Sequence, residues 1–221
     1  MPNLKQKVAE IRRQVLQSSY EAKACHIGSA LSCVEILVDL FYRTLKKDDI
    51  FLFSKASGVA TLYSILADKG YFPKKKIAHY LKHYPLPSKE VPQILHSLGS
   101  LGHGLPVAVG MAYANPKRKV YVLMSDGEVQ EGTTWEACLF ARQHKLNNLY
   151  VIVDNNKIQA LGHTKDILDL KTAYKFMKNT LPNCKIVNTV KGKGVPMFED
   201  DPSWHYKNIT EQQLKDALCK I

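Results

Sequence analysis

An α/β fold, an open and mostly parallel sheet with helices on both faces, is predicted from three features of this chain. Two short runs, Val120-Tyr121-Val122-Leu123-Met124 and Leu149-Tyr150-Val151-Ile152-Val153, are rich in Val, Ile and Tyr and end in turn residues, the pattern of buried strands. The segment between them has helical spacing, so a right-handed crossover joins them in parallel. With 221 residues, 45% of them apolar, the chain can bury one sizeable core, and a single domain over residues 1–221 is expected.

The elements follow in order. Leu4, Val8, Ile11, Val15 and Leu16 share one side of a helix from Leu4 to Lys23. A second helix is expected from about Ser32 to Tyr42, with Ser32 as a cap ahead of Glu35. A strand at Ile50 to Phe53 precedes a helix near Ala60 to Lys69 that stops at Gly70, and a basic helical segment runs from Lys74 to His83. Pro85, Pro87 and Pro92 then break the pattern into loop. A helix from Leu105 to Ala114 leads to the strand 120–124, a helix over 133–144, the strand 149–153, a helix over 166–178 and a strand over 185–190. Glu211 to Lys220 forms a last short helix, and no internal repeat or low-complexity segment interrupts the series.

Composition narrows the function classes. Lys and Arg number 31 against 20 Asp and Glu, a formal net charge of +11 that suits anionic ligands or partners. The clusters Lys74-Lys75-Lys76 and Lys117-Arg118-Lys119 lack interleaved aromatics and fit solvated surface better than nucleic-acid contacts. The charge is taken to favour phosphorylated ligands, with no nucleic acid. Cysteines at positions 25, 33, 138, 184 and 219 form no C-x-x-C pair, and their odd number leaves one unpaired, so a reducing cytoplasm is the expected location. The charged, amphipathic N-terminus is no secretory signal, and no apolar run approaches the ~18 residues of a membrane span. A soluble protein is expected.

Asp126 follows the first apolar run in Ser125-Asp126-Gly127, and Asn156 closes Asp154-Asn155-Asn156 after the second. Parallel strands joined by a crossover present their C-terminal ends at one edge, where ligands of open α/β sheets bind. There Asp126 offers a carboxylate and Asn156 an amide oxygen to a hard cation such as Mg²⁺, which fills its remaining positions with water and phosphate oxygens. Ile158 can add a main-chain carbonyl, and Gly127 has no side chain to keep its N–H from a phosphate oxygen. Either dipeptide alone reads as an ordinary turn or loop; together, after two buried strands, they read as a metal-diphosphate site.

At these residues the chain resembles a known family. Ser125 to Gly162, with Glu128, Glu131-Gly132, Trp135-Glu136-Ala137 and Asn155-Asn156 in order, is similar to the thiamine-diphosphate motif of transketolases, in their diphosphate-binding half. Lys23-Ala24-Cys25-His26-Ile27-Gly28-Ser29 resembles the family's first histidine segment, and Ser97 to Leu105 its glycine-rich loop. Thr189 to Val195 with Trp204-His205 resembles its closing strand and loop. The likeness therefore spans nearly the whole chain, and it implies the thiamine-diphosphate-binding fold of the diphosphate (PP) type.

The resemblance also implies roles. Asp126, Asn156 and the Ile158 carbonyl would hold Mg²⁺ (or Ca²⁺ or Mn²⁺), with Gly127 beside the diphosphate. Main-chain groups of Gly99, Ser100 and Leu101 would hold the aminopyrimidine and thiazolium. His26 would contact the sugar hydroxyls, His205 the diphosphate and the reacting carbonyl, and Glu131 would link two active sites across a subunit contact. The activity implied is transfer of a two-carbon ketol unit between sugar or sugar phosphate substrates.

The chain departs from the family in ways that bear on chemistry. Ser54-Lys55-Ala56-Ser57 stands where transketolases carry Ser-Lys/Asn-Gly-His, so the hydroxyl of Ser57 replaces a cofactor-facing imidazole and cannot exchange protons unaided near neutral pH. The family's Gly-His-Pro segment has no counterpart in Tyr84 to Ser88, His103 stands for Gln, Tyr206 for Gly and Ser125 for Gly. Between Thr164 and Lys185 the chain is shorter than the family by about one strand and its loop. The resemblance implies that the glutamate that activates the cofactor belongs to a pyrimidine-binding domain, and no stretch after His205 is long enough to supply it. A separate subunit is expected to carry it, in a hetero-oligomer expected to be a dimer of heterodimers. The alternatives are a catalytically silent scaffold subunit, and a 2-oxoacid dehydrogenase component, which the segments at Lys191–Val195 and Trp204-His205 fit less well.

Overall fold

A computed structural model describes residues 3–221. Helix α1 (Leu4–Ala22) starts at Asn3, whose side-chain oxygen accepts from the N–H groups of Lys5 and Gln6, and it ends at Lys23 in the left-handed conformation (φ 49°). Helices α2 (Ile27–Ser32) and α3 (Val34–Asp39), the latter running into a π turn at Leu40–Thr44, replace the single helix expected over 32–42. The Ser32 hydroxyl donates back to the Ser29 carbonyl at 3.0 Å, so Ser32 closes α2 and does not cap a helix ahead of Glu35. Cys33, at φ −100° and ψ 7°, breaks the ladder between them.

Strand β1 (Ile50–Phe53), helix α4 (Val59–Asp68) and helix α5 (Ile77–His83), with a 3₁₀ turn over Lys74–Lys76 before it, come next. They are followed by α6 (Gly104–Ala114), β2 (Val120–Ser125), α7 (Gly132–Gln143) and β3 (Leu149–Asn155). The helix expected over 166–178 is two, α8 (Thr164–Ile167) and α9 (Lys171–Thr180), because Leu168 is extended and the Asp169 carboxylate accepts the Lys171 N–H at 2.9 Å. Strand β4 (Cys184–Asn188) ends two residues early, where its pairing partner Asn155 closes β3. Helix α10 (Glu211–Leu218) opens on a capping box between Thr210 and Gln213. No helix among the described residues is long and apolar enough to cross a membrane.

The chain divides into two compact units. The first comprises residues up to Leu45, Ser57–Ser97 and Thr189–Ile221. It is helical, with α1 packed on α3, α4, α5 and α10 around buried Ile11, Val15, Leu16, Leu31, Leu37, Leu62, Ile65 and Ile77. The Tyr63 hydroxyl, 3.0 Å from the carbonyl oxygens of Tyr84 and Leu86, ties the proline-broken loop to α4.

The second unit, Lys46–Ala56 with Leu98–Asn188, carries the sheet. All four strands are parallel in the order β1-β2-β3-β4, with Ile50 opposite Val120, Val122 opposite Val151 and Asp154 opposite Val187. Ile50, Leu52, Val120, Val122, Met124, Leu149, Val151 and Val153 form one apolar cluster with Leu105 and Ala108 of α6, Cys138 of α7 and Met177 of α9. The alternate residues Phe53, Tyr121, Leu123 and Ile152 are buried as well. Continuous apolar runs, without polar alternation, are what a parallel sheet flanked by helices requires. Each fully buried Val or Leu contributes roughly 1.5–3 kcal/mol. The register brings the C-terminal ends of all strands to one edge, where Ser54-Lys55, Asp126 and Asn156 emerge.

Candidate functional site

Ser125 is level with Asp154 in the β2–β3 pairing, so Asp126 and the Asn155-Asn156 pair leave adjacent strands together. The Asp126 carboxylate accepts the Gly127 N–H at 2.9 Å through Oδ1 and the Lys157 N–H at 2.8 Å through Oδ2. Thr164, on the return of the 157–164 loop, donates its hydroxyl to the same Oδ2 at 3.4 Å. Asn156 Oδ1 accepts from Ile158 N at 3.1 Å, while Asn155 turns toward Asn188 and Tyr174. The structure thus brings Asp126 to the main chain of the residue next to Asn156. Gly127 N–H, expected to face a phosphate oxygen, is engaged with the Asp126 carboxylate; a carboxylate has lone pairs left for a cation after accepting both N–H groups.

Asp126 is buried, and burial raises its carboxyl pKa; nearby Lys55 opposes the rise and Asp154 adds to it. Lys55, directly after β1, pairs with Asp154 of β3 at 3.3 Å, both inaccessible to solvent. The pair is neutral in sum, so it leaves the ionised form of Asp126 uncompensated. That imbalance is what a bound divalent cation would correct. Among the described residues no group of three or more His, Cys, Asp or Glu could hold a metal ion. One carboxylate, one amide and a main-chain carbonyl fit Mg²⁺, which takes its other ligands from phosphate and water.

Gly99, Ser100 and Leu101 are exposed, ahead of a tight turn at Gly102 with φ 77°. A Cβ on Gly102 would lie 2.5 Å from Glu131 Cβ, so only glycine fits there. Thr133 donates to the Gly102 carbonyl at 2.8 Å, and Glu131 is the half-buried residue preceding α7. Glu128, which the sequence marked only as part of the motif, is fully buried. Its carboxylate accepts from the hydroxyl of Ser54, and from the N–H and hydroxyl of Ser125 at 2.8 and 3.1 Å.

In the helical unit, His26 and His205 meet. His26 takes φ 67° and starts α2, well past the end of the first helix, and its N–H donates to the His205 carbonyl at 3.1 Å. Their ring centroids are 4.6 Å apart, edge to face, with the exposed Tyr206 ring 4.7 Å from His205. Cys25 Sγ is 3.2 Å from His26 Nδ1. Ser57 donates its hydroxyl to that of Ser29 at 3.1 Å.

Lys191 is a fully buried lysine whose Nζ lies 3.3 Å from His205 Nδ1. With Lys191 as an ammonium, which can only donate, Nδ1 is the acceptor and the ring hydrogen sits on Nε2. Neither Lys55 nor Lys191 was singled out for a role from sequence. Each does stand where a solvated lysine is out of place, Lys55 at the end of an apolar strand and Lys191 between Val190 and a glycine turn.

Residues 4–181 match the family described as "Transketolase, thiamine diphosphate binding domain". The chain belongs to this family. It is 38% identical to one of the named subunits of the apulose-4-phosphate transketolase of Actinobacillus succinogenes over 264 aligned positions, covering 99% of this chain and 95% of that one. With a 6-deoxy-6-sulfo-D-fructose transketolase subunit, SqwG, of a Clostridium strain, identity is 30% over 96% of this chain and 93% of the relative. The first alignment is longer than the chain's 221 residues, so that relative carries segments with no counterpart here. A crystal structure of transketolase from Campylobacter jejuni superposes with a TM-score of 0.87 at 24% identity, over 98% of this chain but 42% of that one. The fold is that of the N-terminal part of transketolases.

Proposed function

We propose that the chain is the diphosphate-binding subunit of a split, thiamine-diphosphate- and Mg²⁺-dependent transketolase that moves a two-carbon ketol unit between sugar or sugar phosphate substrates. The observation that carries this reading is the Lys157 N–H to Asp126 bond, which closes the Asn156 loop onto the end of β2. Similarity over 95% and 93% of two relatives named as transketolase subunits supports a separate polypeptide for the pyrimidine domain. No disulfide joins the cysteines among the described residues, which fits a cytoplasmic location.

Asp126, Asn156 and the Ile158 carbonyl hold the ion, and the ion with Gly127 anchors the diphosphate. Gly99, Ser100 and Leu101 hold the ring portion through main-chain groups. Thiamine diphosphate, when bound, supplies an electron sink at the carbonyl carbon of the donor sugar. His205 presents Nε2–H to an anionic or carbonyl oxygen when Nδ1 accepts from Lys191. His26 orients sugar hydroxyls. Ser57 can orient a hydroxyl but carry no proton, so proton transfer falls to the two histidines. Glu131 faces the partner subunit, in a dimer of heterodimers.

A second reading, a silent subunit that stabilises its partner, is favoured by Ser57 and by the missing Gly-His-Pro segment. Calorimetry of thiamine diphosphate with Mg²⁺ against the chain mixed with a pyrimidine-domain subunit separates the two. Micromolar binding together with ketol transfer from a ketose phosphate supports the enzyme; a mixed complex that ignores the cofactor removes it.

A further inference from the structure

Lys191 and His205 share the stretch ahead of α10, and two glycines in left-handed conformations shape its start, Gly192 at φ 84° and Gly194 at φ 88°. The Gly192 N–H donates to the Gly28 carbonyl at 2.9 Å and the Asp200 N–H to the Lys191 carbonyl at 3.0 Å. Between the glycines, the Lys193 N–H closes a local turn on Val190 at 3.1 Å, while the Lys193 carbonyl is held from outside the loop. Arg12 of α1 holds it. That residue is buried, and its Nε donates to the Lys193 carbonyl at 3.0 Å while Nη2 donates to Glu35 of α3 at 2.9 Å. Lys193 Nζ lies 3.3 Å from the same Glu35 oxygen. Gly194 packs on the guanidinium: a Cβ there would be 2.4 Å from Nε and 2.6 Å from Cζ, so only glycine fits.

We infer that Arg12 is a positioning residue, whose guanidinium fork holds the Gly192–Gly194 turn on α1 and α3 and so sets Lys191 against His205. Lys191 is fully buried with its Nζ 3.3 Å from His205 Nδ1, and its stem passes Gly28, where a Cβ would lie 3.1 Å from Lys191 Cγ. With the stem confined, the main chain decides how far the ammonium reaches. Two glycines leave that main chain free to hinge, so its height depends on an anchor outside the loop. A hydrogen bond from a charged donor is stronger than one between neutral groups, and the rigid guanidinium serves the Lys193 carbonyl and Glu35 at once. Lysine can keep the charge beside Glu35 but has no fork to reach both. That His205 faces substrate rests on the proposed function; the anchorage of the loop does not.

Amide hydrogen exchange and histidine ring ¹⁵N spectra of the full chain, without cofactor, test the clamp. In Arg12→Met the Gly192 and Asp200 amides are expected to exchange about tenfold faster or more, and the His205 ring signals to shift, with the amides of Leu62 to Leu66 in α4 unchanged. Arg12→Lys is expected to melt closer to wild type than Arg12→Met does, yet to leave exchange at Gly192 fast and the ring signals displaced. Wild-type exchange and ring signals in folded Arg12→Met overturn the inference, as do equal acceleration in α4 and full recovery of both readouts in Arg12→Lys. Should Arg12→Met not fold, Arg12→Lys decides by the same comparison. Mixed with a pyrimidine-domain subunit, both variants are expected to transfer ketol units about tenfold more slowly than wild type, and transfer at the wild-type rate from a loosened loop overturns the positioning role. A wild-type complex with no transfer counts against the proposed function alone, because the exchange and ring results stand without cofactor.

Discussion

Lys55 Nζ lies 3.3 Å from Asp154 Oδ2, with the two side chains 1% and 0% exposed, so the turn after β1 is charge-linked to β3 across the end of β2. Removing one partner of such a pair leaves a charge in a poorly hydrated interior. Lys55→Met is expected to lower stability by about 3–5 kcal/mol, and Lys55→Met with Asp154→Leu by clearly less. Urea unfolding of the two variants checks it; equal losses would mean the pair is not coupled.

Asp126 has its carboxyl pKa raised, by burial before any other cause, so its ionised form burdens the metal-free fold. The sign follows from linkage: a raised folded pKa means the penalty appears as pH rises above the ordinary carboxylate value. Asp126→Asn is therefore expected to stabilise the metal-free chain at pH 7, with the gain vanishing toward pH 4. With Mg²⁺ and thiamine diphosphate the order should reverse, because the variant loses the charged ligand. Thermal melts with and without both additives measure the crossover.

In the helical unit Asp68 gathers Tyr42, Lys7 at 3.0 Å and Lys74 at 3.1 Å. Burial pushes its pKa up, but the hydrogen bonds from Tyr42, Lys7 and Lys74 outweigh it and the net shift is downward. A depressed folded pKa gives stability that is present above the unfolded value and lost as pH falls through the folded one. Asp68→Asn should accordingly be destabilised at pH 7 and approach wild type below pH 3. Chemical unfolding at both pH values tests this.

Gly102→Ala adds a methyl group 2.5 Å from Glu131 Cβ at a φ of 77°. A loss of about 1–3 kcal/mol is expected from strain at that backbone conformation. Cofactor affinity should fall with it, whereas Gly110→Ala, where a Cβ meets nothing within 4 Å, should leave affinity unchanged. Parallel calorimetric titrations of the two variants give the comparison.

The strands were legible because buried parallel strands are written as unbroken apolar runs: the expected 120–124 and 149–153 are Val120–Ser125 and Leu149–Asn155. The helix over 32–42 was not, since nothing local says whether the Ser32 hydroxyl will cap the next helix or bond back to Ser29, as it does. That Asp126 and Asn156 emerge at one edge could be read in advance because a crossover unit must return its strand ends to the same edge. The buried lysines could not. Lys55 and Lys191 look like loop residues until the fold closes over them, and a lysine stem buries as easily as a leucine once its ammonium has a partner.

By itself, then, the sequence determined the order of helices and strands, the edge at which acid and amide emerge, and membership of the transketolase family, since each depends on local pattern or on a motif read in line. The tertiary structure alone decided that Lys55 pairs with Asp154, that Glu128 ties Ser54 and Ser125 together, and that Lys191 lies against His205. These choices join residues up to 99 positions apart, Lys55 to Asp154 being the longest. Burial selects such partners, because a charge removed from water must find its complement wherever the fold has placed one.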